Sequence, residues 1–213
     1  MGAGRPAAGP APLAPSRAGE ALTARRRLRA SAGRRLAAIA AGLAAFACAG
    51  DDPGCLDADR RERISRTVEA LAPDLAGAGL ARAVGAAECR AAVDAFLLLA
   101  VAETESAFDP RARGPSGGIG LLQLRLPTAR AVAERHDVPL RGAAALQDVA
   151  TNVALGAAYL SELHDRYASW EIALTAYNVG PTGLARLLRQ GQNGSSPYAR
   201  RILARWREIE AGL

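Results

Sequence analysis

An all-helical fold is what this chain predicts, and three observations lead there. Half of its 213 residues are apolar while only 4% are aromatic. Alanine therefore does much of the filling, and alanine has the highest helix propensity. Apolar residues recur at helical spacing, and no segment alternates apolar with polar over a useful strand length. Ser, Asp and Pro stand where helices take their starting signals. The length suits one domain preceded by an export segment.

The leader comes first. Residues 1–35 are rich in Ala, Pro, Gly and Arg, a composition too poor in large apolar residues to offset the entropy of ordering. Arg25-Arg26-Arg27, Arg29 and Arg34-Arg35 then precede an apolar run from Leu36 to Ala47. That run is too short to span a bilayer as a mature helix. It has the size of the apolar part of an export signal, with Ala45-Phe46-Ala47 as a small-residue exit. A short buried helix is the plainer alternative; the basic flank and the position argue against it. Arg34-Arg35 also reads as a weak twin-arginine signal. The chain thus divides into a leader, 1–47, and one domain, 48–213, and is expected in a bacterial periplasm or envelope.

Cys48 follows at once. Its place directly after an Ala-rich run resembles the acceptor of a bacterial lipoprotein signal, although Phe46 is bulky for its position and no Leu stands at 45. Lipidation there would anchor the protein to a membrane; removal or burial of Cys48 is the other reading. An exported chain with three cysteines has one left over. Pairing Cys55 with Cys89 would leave Cys48 free for acylation.

Charge excludes one class of partner. The formal net charge is +6, yet eight Arg and one Glu precede Cys48, while nineteen Arg and twenty acids follow. The domain itself is close to neutral, so it offers no basic patch for nucleic acid.

Within the domain, Ile64, Val68 and Leu71 mark an amphipathic helix over 56–71. Pro73 and Gly77-Ala78-Gly79 loosen the next stretch. Glu88 to Glu105 reads as one long helix, apolar all round at Phe96-Leu97-Leu98-Leu99-Ala100-Val101 and therefore buried. Pro110 stops it, and 111–120 is a Gly-Pro loop. Pro127 opens a helix to His136. Asp148 caps a helix over 149–166, and Ser169 caps one over 170–177. Gly180-Pro181 is a turn, and helices over 184–188 and 198–209 complete the set.

Glu105 stands out chemically. Cleaving a glycoside requires a carboxylic acid still protonated near neutral pH. Burial against apolar neighbours raises a carboxyl pKa, and the partial negative charge of a helix C-terminus acts the same way. Glu105 is placed for both. Glu103, two residues away, faces the opposite side of a helix and reads as solvated or ion-paired. Asp109 is better placed to cap the turn into Pro110 than to act as a second catalytic carboxylate. Alone, Glu105 would be an ordinary structural Glu; its company changes that.

Four strings occur in order: Glu105-Ser106-Ala107-Phe108-Asp109-Pro110, Gly120-Leu121-Leu122-Gln123, Asn152 to Leu160, and Ala176-Tyr177-Asn178-Val179-Gly180-Pro181. Together they resemble the catalytic domain of the soluble lytic transglycosylases over residues 91–203. The resemblance implies a lysozyme-like helical fold and cleavage of the β-1,4 bond between N-acetylmuramic acid and N-acetylglucosamine in peptidoglycan. Glu105 would be the sole acid and base, and the product a 1,6-anhydro sugar. It further implies that Gln123 contacts sugar from its loop, beside Leu122. Tyr177 would hydrogen-bond near the catalytic carboxyl, Asn178 would face the saccharide groove, and Ser106 would fix the loop at the helix end.

Taken singly, Gln123 and Asn178 could as well satisfy loop backbone, and Tyr177 could be core packing with a wet hydroxyl. Asn152, Gly156 and Tyr159 read as structural, with Gly156 allowing another helix close. Three positions depart from the family. Leu122 replaces a Met. Gly114, with Ser116 nearby, replaces a Ser that lies close to the catalytic Glu. Gly194-Ser195-Ser196-Pro197 replaces a Glu-Thr pair before Tyr198. A muramidase on the same fold and an inactive peptidoglycan-binding module remain alternatives. No cofactor is implied, and oligomeric state is open. His136 and His164 read as lone surface residues without metal spacing, and the Gly114–Gly120 run lacks the Lys-Ser/Thr of a phosphate loop.

Overall fold

The computed structural model describes residues 55–212. The leader, its apolar run and Cys48 lie outside the described residues. Helix α1 spans Ala58–Leu71, and the Asp57 carboxylate caps it by accepting from the Arg60 N–H at 2.7 Å. Ile64 and Val68 are buried, as their spacing predicts. A single turn, α2 (Pro73–Ala76), follows. Gly79, at φ 81°, then starts α3 (Leu80–Ala91).

The long helix predicted over 88–105 is two helices. Ala92 turns left-handed at φ 52° and closes α3, and α4 runs from Ala95 to Ser106. The cause is Asp94. Its Oδ1 accepts from the Phe96 and Leu97 N–H groups at 2.9 and 3.1 Å, so the chain gains a side-chain N-cap at the position where a continuous helix would place a charged residue inside the fold.

From Ala95 to Ala102 every residue of α4 is buried. Helices α1 and α3 and the last helix, α8 (Pro197–Ala211), pack round it. Polar groups gather at its N-terminal end. Arg60 reaches Glu88 at 2.8 Å and Asp94 at 2.6 Å, and its guanidinium lies 4.2 Å from the centre of the Phe96 ring. Trp206 donates its indole N–H to Asp94 at 2.8 Å.

The Gly-Pro loop leads into a two-stranded hairpin, β1 (Gly118–Ile119) and β2 (Leu124–Arg125), with Gly118 opposite Arg125 and Ile119 opposite Leu124. Helix α5 (Leu126–Arg135) carries Pro127 in its first turn. A 3₁₀ turn, Ala143–Gln147, precedes α6 (Val149–Tyr167), whose cap Asp148 accepts from the Thr151 N–H at 2.8 Å. Helix α7 (Trp170–Arg189) starts at the Ser169 cap and breaks at Gly180 (φ 76°, ψ 157°), just before Pro181. Ser196 caps α8, accepting from the Ala199 N–H at 3.1 Å. The departure from a Glu-Thr pair therefore leaves this helix with a working cap.

Two hydrophobic cores result. The larger centres on α4 and takes in α1, α3, α6, α7 and α8. The smaller joins the hairpin, α5, the 3₁₀ turn and one face of α6. Tyr159 and Tyr177 pack against both, so the seam between the cores is lined with phenols. Neither histidine is a lone surface residue. His136 is 7% exposed and sits 2.8 Å from Glu162, and His164 stacks on Trp170 with ring centres 3.9 Å apart. Among the described residues no helix is long and apolar enough to cross a membrane.

Cys55 and Cys89 form a disulfide, with their Cα atoms 5.9 Å apart. It closes a loop of 34 residues, which in the chain-entropy view stabilises the fold by about 3–4 kcal/mol. Replacing both cysteines with serine is expected to lower the unfolding free energy in denaturant melts by about that amount.

Candidate active site

Glu105 is the penultimate residue of α4. Helical rotation separates it from Glu103, which pairs with Arg205 of α8 at 2.6 Å. The Glu105 side chain instead enters a cleft of about 610 Å³, where Gln123, Tyr177 and Asn178 join it from the hairpin loop and from α7. Among the described residues lining this cleft, Glu105 is the only carboxylate. Asp109 is spent on the turn, accepting from the Arg111 N–H at 2.8 Å.

The carboxyl of Glu105 accepts a hydrogen bond from the hydroxyl of Tyr198, in the first turn of α8. Burial pushes the Glu105 pKa above the ordinary carboxylate range; the Tyr198 hydrogen bond and the Arg201 charge pull partly the other way. The net direction favours a protonated acid. The phenol on the carboxyl is therefore Tyr198, a residue that sequence reasoning did not single out. Tyr177 lies close by, and its hydroxyl donates to the Leu122 carbonyl at 2.7 Å. Burial first, then the charge of Glu105, pushes its own pKa well up, so it stays a neutral donor.

The loop that carries Gln123 is clamped from several sides. Asn152 is 1% exposed; its Oδ1 accepts from the Leu122 N–H at 2.8 Å, and its Nδ2 donates to Ile119 and Leu146 carbonyls at 2.9 and 2.7 Å. This pinches Gly120, at φ 77°, so closely that a Cβ there would stand 2.2 Å from the Leu146 carbonyl oxygen. Ser106 fixes the loop to the helix end, its Oγ lying 2.9 Å from the Leu121 carbonyl oxygen.

Two of the motif residues named for the site, Ser106 and Leu122, do not line the cleft. Ser106 acts through the loop. Leu122 is 1% exposed and packs into the notch at Gly156, where a Cβ would meet its side chain at 2.3 Å. Gly156 thus admits a loop residue, where a helix was expected, and Leu122 reaches the site only through its backbone.

Gln123 sits at φ 47°. Its Nε2 is held by the Gly120 and Ala112 carbonyls at 2.8 and 3.2 Å. Both donors are thereby committed, and Oε1 is what it can offer a ligand: a fixed acceptor for an N–H or O–H. That oxygen lies 2.5 Å from the point where a Cβ on Gly114 would stand. Gly114 therefore does more than lack a hydroxyl; its missing side chain is the room that Gln123 occupies.

Sequence reasoning also missed Arg125, Thr128, Tyr159 and the 40%-exposed Val179 as cleft residues. The alternation of exposed Arg125 with buried Leu124 was a usable signal but covers only two residues. Tyr198 had none, because its contact lies 93 residues away in sequence.

Three outcomes follow. Gly114→Ala is expected to displace the Gln123 amide, weakening saccharide binding measured by calorimetry while thermal melts change little. Tyr198→Phe removes a donor that stabilises the carboxylate, so the Glu105 pKa moves further up in a carboxyl NMR titration. The linked stability has a definite sign. A raised folded-state pKa means that stability is present below the ordinary carboxylate range and is lost as pH rises through the folded value. Glu105→Gln is therefore expected to raise the melting temperature above that window and to leave it unchanged below.

Known proteins resemble this chain in sequence and fold. The chain is 34% identical over 85 residues to the soluble lytic murein transglycosylase of Salmonella typhimurium, a match covering 39% of this chain and 13% of that protein. It is 37% identical over 109 residues to the membrane-bound lytic murein transglycosylase F of Alcanivorax borkumensis, covering 46% of this chain and 21% of that one. The chain thus spans a small part of these relatives' length. In fold it superposes on the X-ray structure of an inactive mutant of the lytic transglycosylase Slt from Pseudomonas aeruginosa, with a TM-score of 0.55 and 24% identity over 61% of this chain and 24% of that one. The model of one family matches residues 82–197, more than half of the chain and all four motifs. This chain belongs to the transglycosylase SLT domain family.

Proposed function

We propose that the chain is a peptidoglycan lytic transglycosylase with Glu105 as its only acid and base. The observation that carries this reading is the lone half-buried carboxyl, held by Tyr198 and raised in pKa, at the floor of a polar cleft. Two-carboxylate glycosidases need a partner across the bond, and the described cleft lining offers none. The sugar's own N-acetyl oxygen takes that place.

Protonated Glu105 gives its proton to the glycosidic oxygen as the C1–O4 bond breaks, releasing the N-acetylglucosamine O4 as a hydroxyl. The acetamido oxygen holds the muramyl C1 meanwhile. Glu105, now a carboxylate, removes the proton of the C6 hydroxyl, and O6 bonds to C1 as the C1–acetamido oxygen bond breaks, which closes the anhydro ring and restores the N-acetyl group. The acid is regenerated and no water is consumed. Gln123 Oε1 accepts a hydrogen bond from the glycan, and Asn178 and Val179, both exposed, face the strand with an amide and an apolar surface.

The same reading puts residues 1–47 as an export leader and 48–213 as the catalytic domain, working in the cell envelope. The Cys55–Cys89 disulfide supports this, since such bonds persist in oxidising compartments. It leaves Cys48 for acylation, which would hold the enzyme at a membrane.

Mass spectrometry of murein digests tests the reaction. Products with 1,6-anhydro ends, one water lighter than hydrolytic ones, are expected from the wild type, with Glu105→Gln slowed by about 10²–10⁴-fold. Reducing ends would make it a muramidase. Bound murein with no products would leave a binding module.

A further inference from the structure

We infer that Arg125 is a specificity residue of the cleft, taking a carboxylate carried on the muramyl side of the glycan strand. The inference rests on the reading of the cleft as a murein site and extends it to a charge. Arg125 ends β2 and pairs with Gly118 across the hairpin, so its backbone is fixed. Leu124 before it is buried in the smaller core while Arg125 is exposed, and Arg125 lines the cleft together with Thr128.

Its guanidinium has no ion pair or side-chain hydrogen bond within the described residues. Other arginines are engaged with acids: Arg60 with Glu88 and Asp94, Arg66 with Glu62, Arg135 with Glu162, Arg205 with Glu103. Among the described residues lining the cleft two are charged, Glu105 and Arg125. A cation left unpaired in a groove that holds a polymer selects for an anion on that polymer. The surroundings have the same sign. Helix α5 begins at Leu126 with no side-chain cap, and the partial positive charge of its first turn adds to the guanidinium.

N-acetylglucosamine units are neutral and give Arg125 nothing to hold. Each muramyl unit carries a lactyl carboxyl, free in stripped strands, or amide-linked to a stem peptide that brings carboxylates of its own. A guanidinium meets a carboxylate with two parallel hydrogen bonds. Arg125 thus distinguishes muramyl-bearing strands from chitin-type ones, and it sets which sugar of the repeat sits over Glu105.

The test measures binding by calorimetry in a Glu105→Gln background, with and without Arg125→Gln. The ligands are peptide-free muramyl glycan, peptide-bearing glycan and chito-oligosaccharide. Arg125→Gln is expected to weaken binding of the carboxylate-bearing strands roughly tenfold, the size of one charge-assisted contact, and to leave chito-oligosaccharide affinity unchanged. Arg125→Lys is expected to restore part of the preference, and added salt to erode it. A larger loss on peptide-free strands assigns the lactyl carboxylate; a larger loss on peptide-bearing strands assigns the stem. Equal effects on all three ligands, or none, overturn the inference. Digests by Arg125→Gln alone separate the two readings: anhydro products with the charge discrimination intact sink only the role of Arg125, whereas wild type that neither binds nor cuts murein sinks the function itself.

Discussion

A helix that is apolar on every face can exist in water only if it is wrapped. From Ala95 to Ala102 α4 has no solvent-facing side, and the rest of the domain follows from covering it. Its polar residues are pushed to the ends. At the N-terminal end Asp94 caps the helix and holds Arg60 and Trp206. At the other end Glu103 and Glu105 emerge where the wrapping stops, one toward Arg205 and the other into the cleft. The burial that stabilises the fold is also what desolvates Glu105. Stability and acidity have one cause here.

The second constraint is the peptide group of Leu122. Its N–H is held by Asn152 and its carbonyl by Tyr177, while its side chain fills the notch at Gly156. Asn152 and Gly156 belong to α6 and Tyr177 to α7, so two helices fix the loop. A cleft set in this way is ordered before ligand arrives and loses little further freedom on binding. It also explains why Gln123 tolerates a left-handed backbone: the surroundings determine its geometry, and its amide has no other place to donate.

Much of this was legible in the sequence, and the physics explains which parts. Helix starts carried local signatures, and Asp148, Ser169 and Pro127 stand where their chemistry predicts. Asp94 carries the same signature. It was overridden by the apolar run around it, because periodicity cannot tell one buried helix from two joined at a cap. Glu105, Gln123 and Asn178 were found through their motifs. Leu122 and Ser106 belong to the same motifs yet serve the scaffold, since a motif records which residues recur and not which atom faces the ligand. Tyr198 depends on where α8 crosses the end of α4, a tertiary fact with no local trace. His136 was misplaced for a similar reason: the acid that buries it comes from a helix 26 residues on.

The disulfide has a mechanical meaning as well. Any tension on the chain ahead of residue 55 reaches Cys55 and passes through sulfur to Cys89. Residues 56–88 lie inside the bridged loop and bear none of that load. Helices α1 and α2 and most of α3 are shunted out of the force path, which rejoins the backbone just before Asp94 and the core helix. A domain hauled by its N-terminal end against a rigid polymer gripped in its cleft would thus be pulled along α4, from Asp94 to Glu105, through its best-packed element and not through its outer turns.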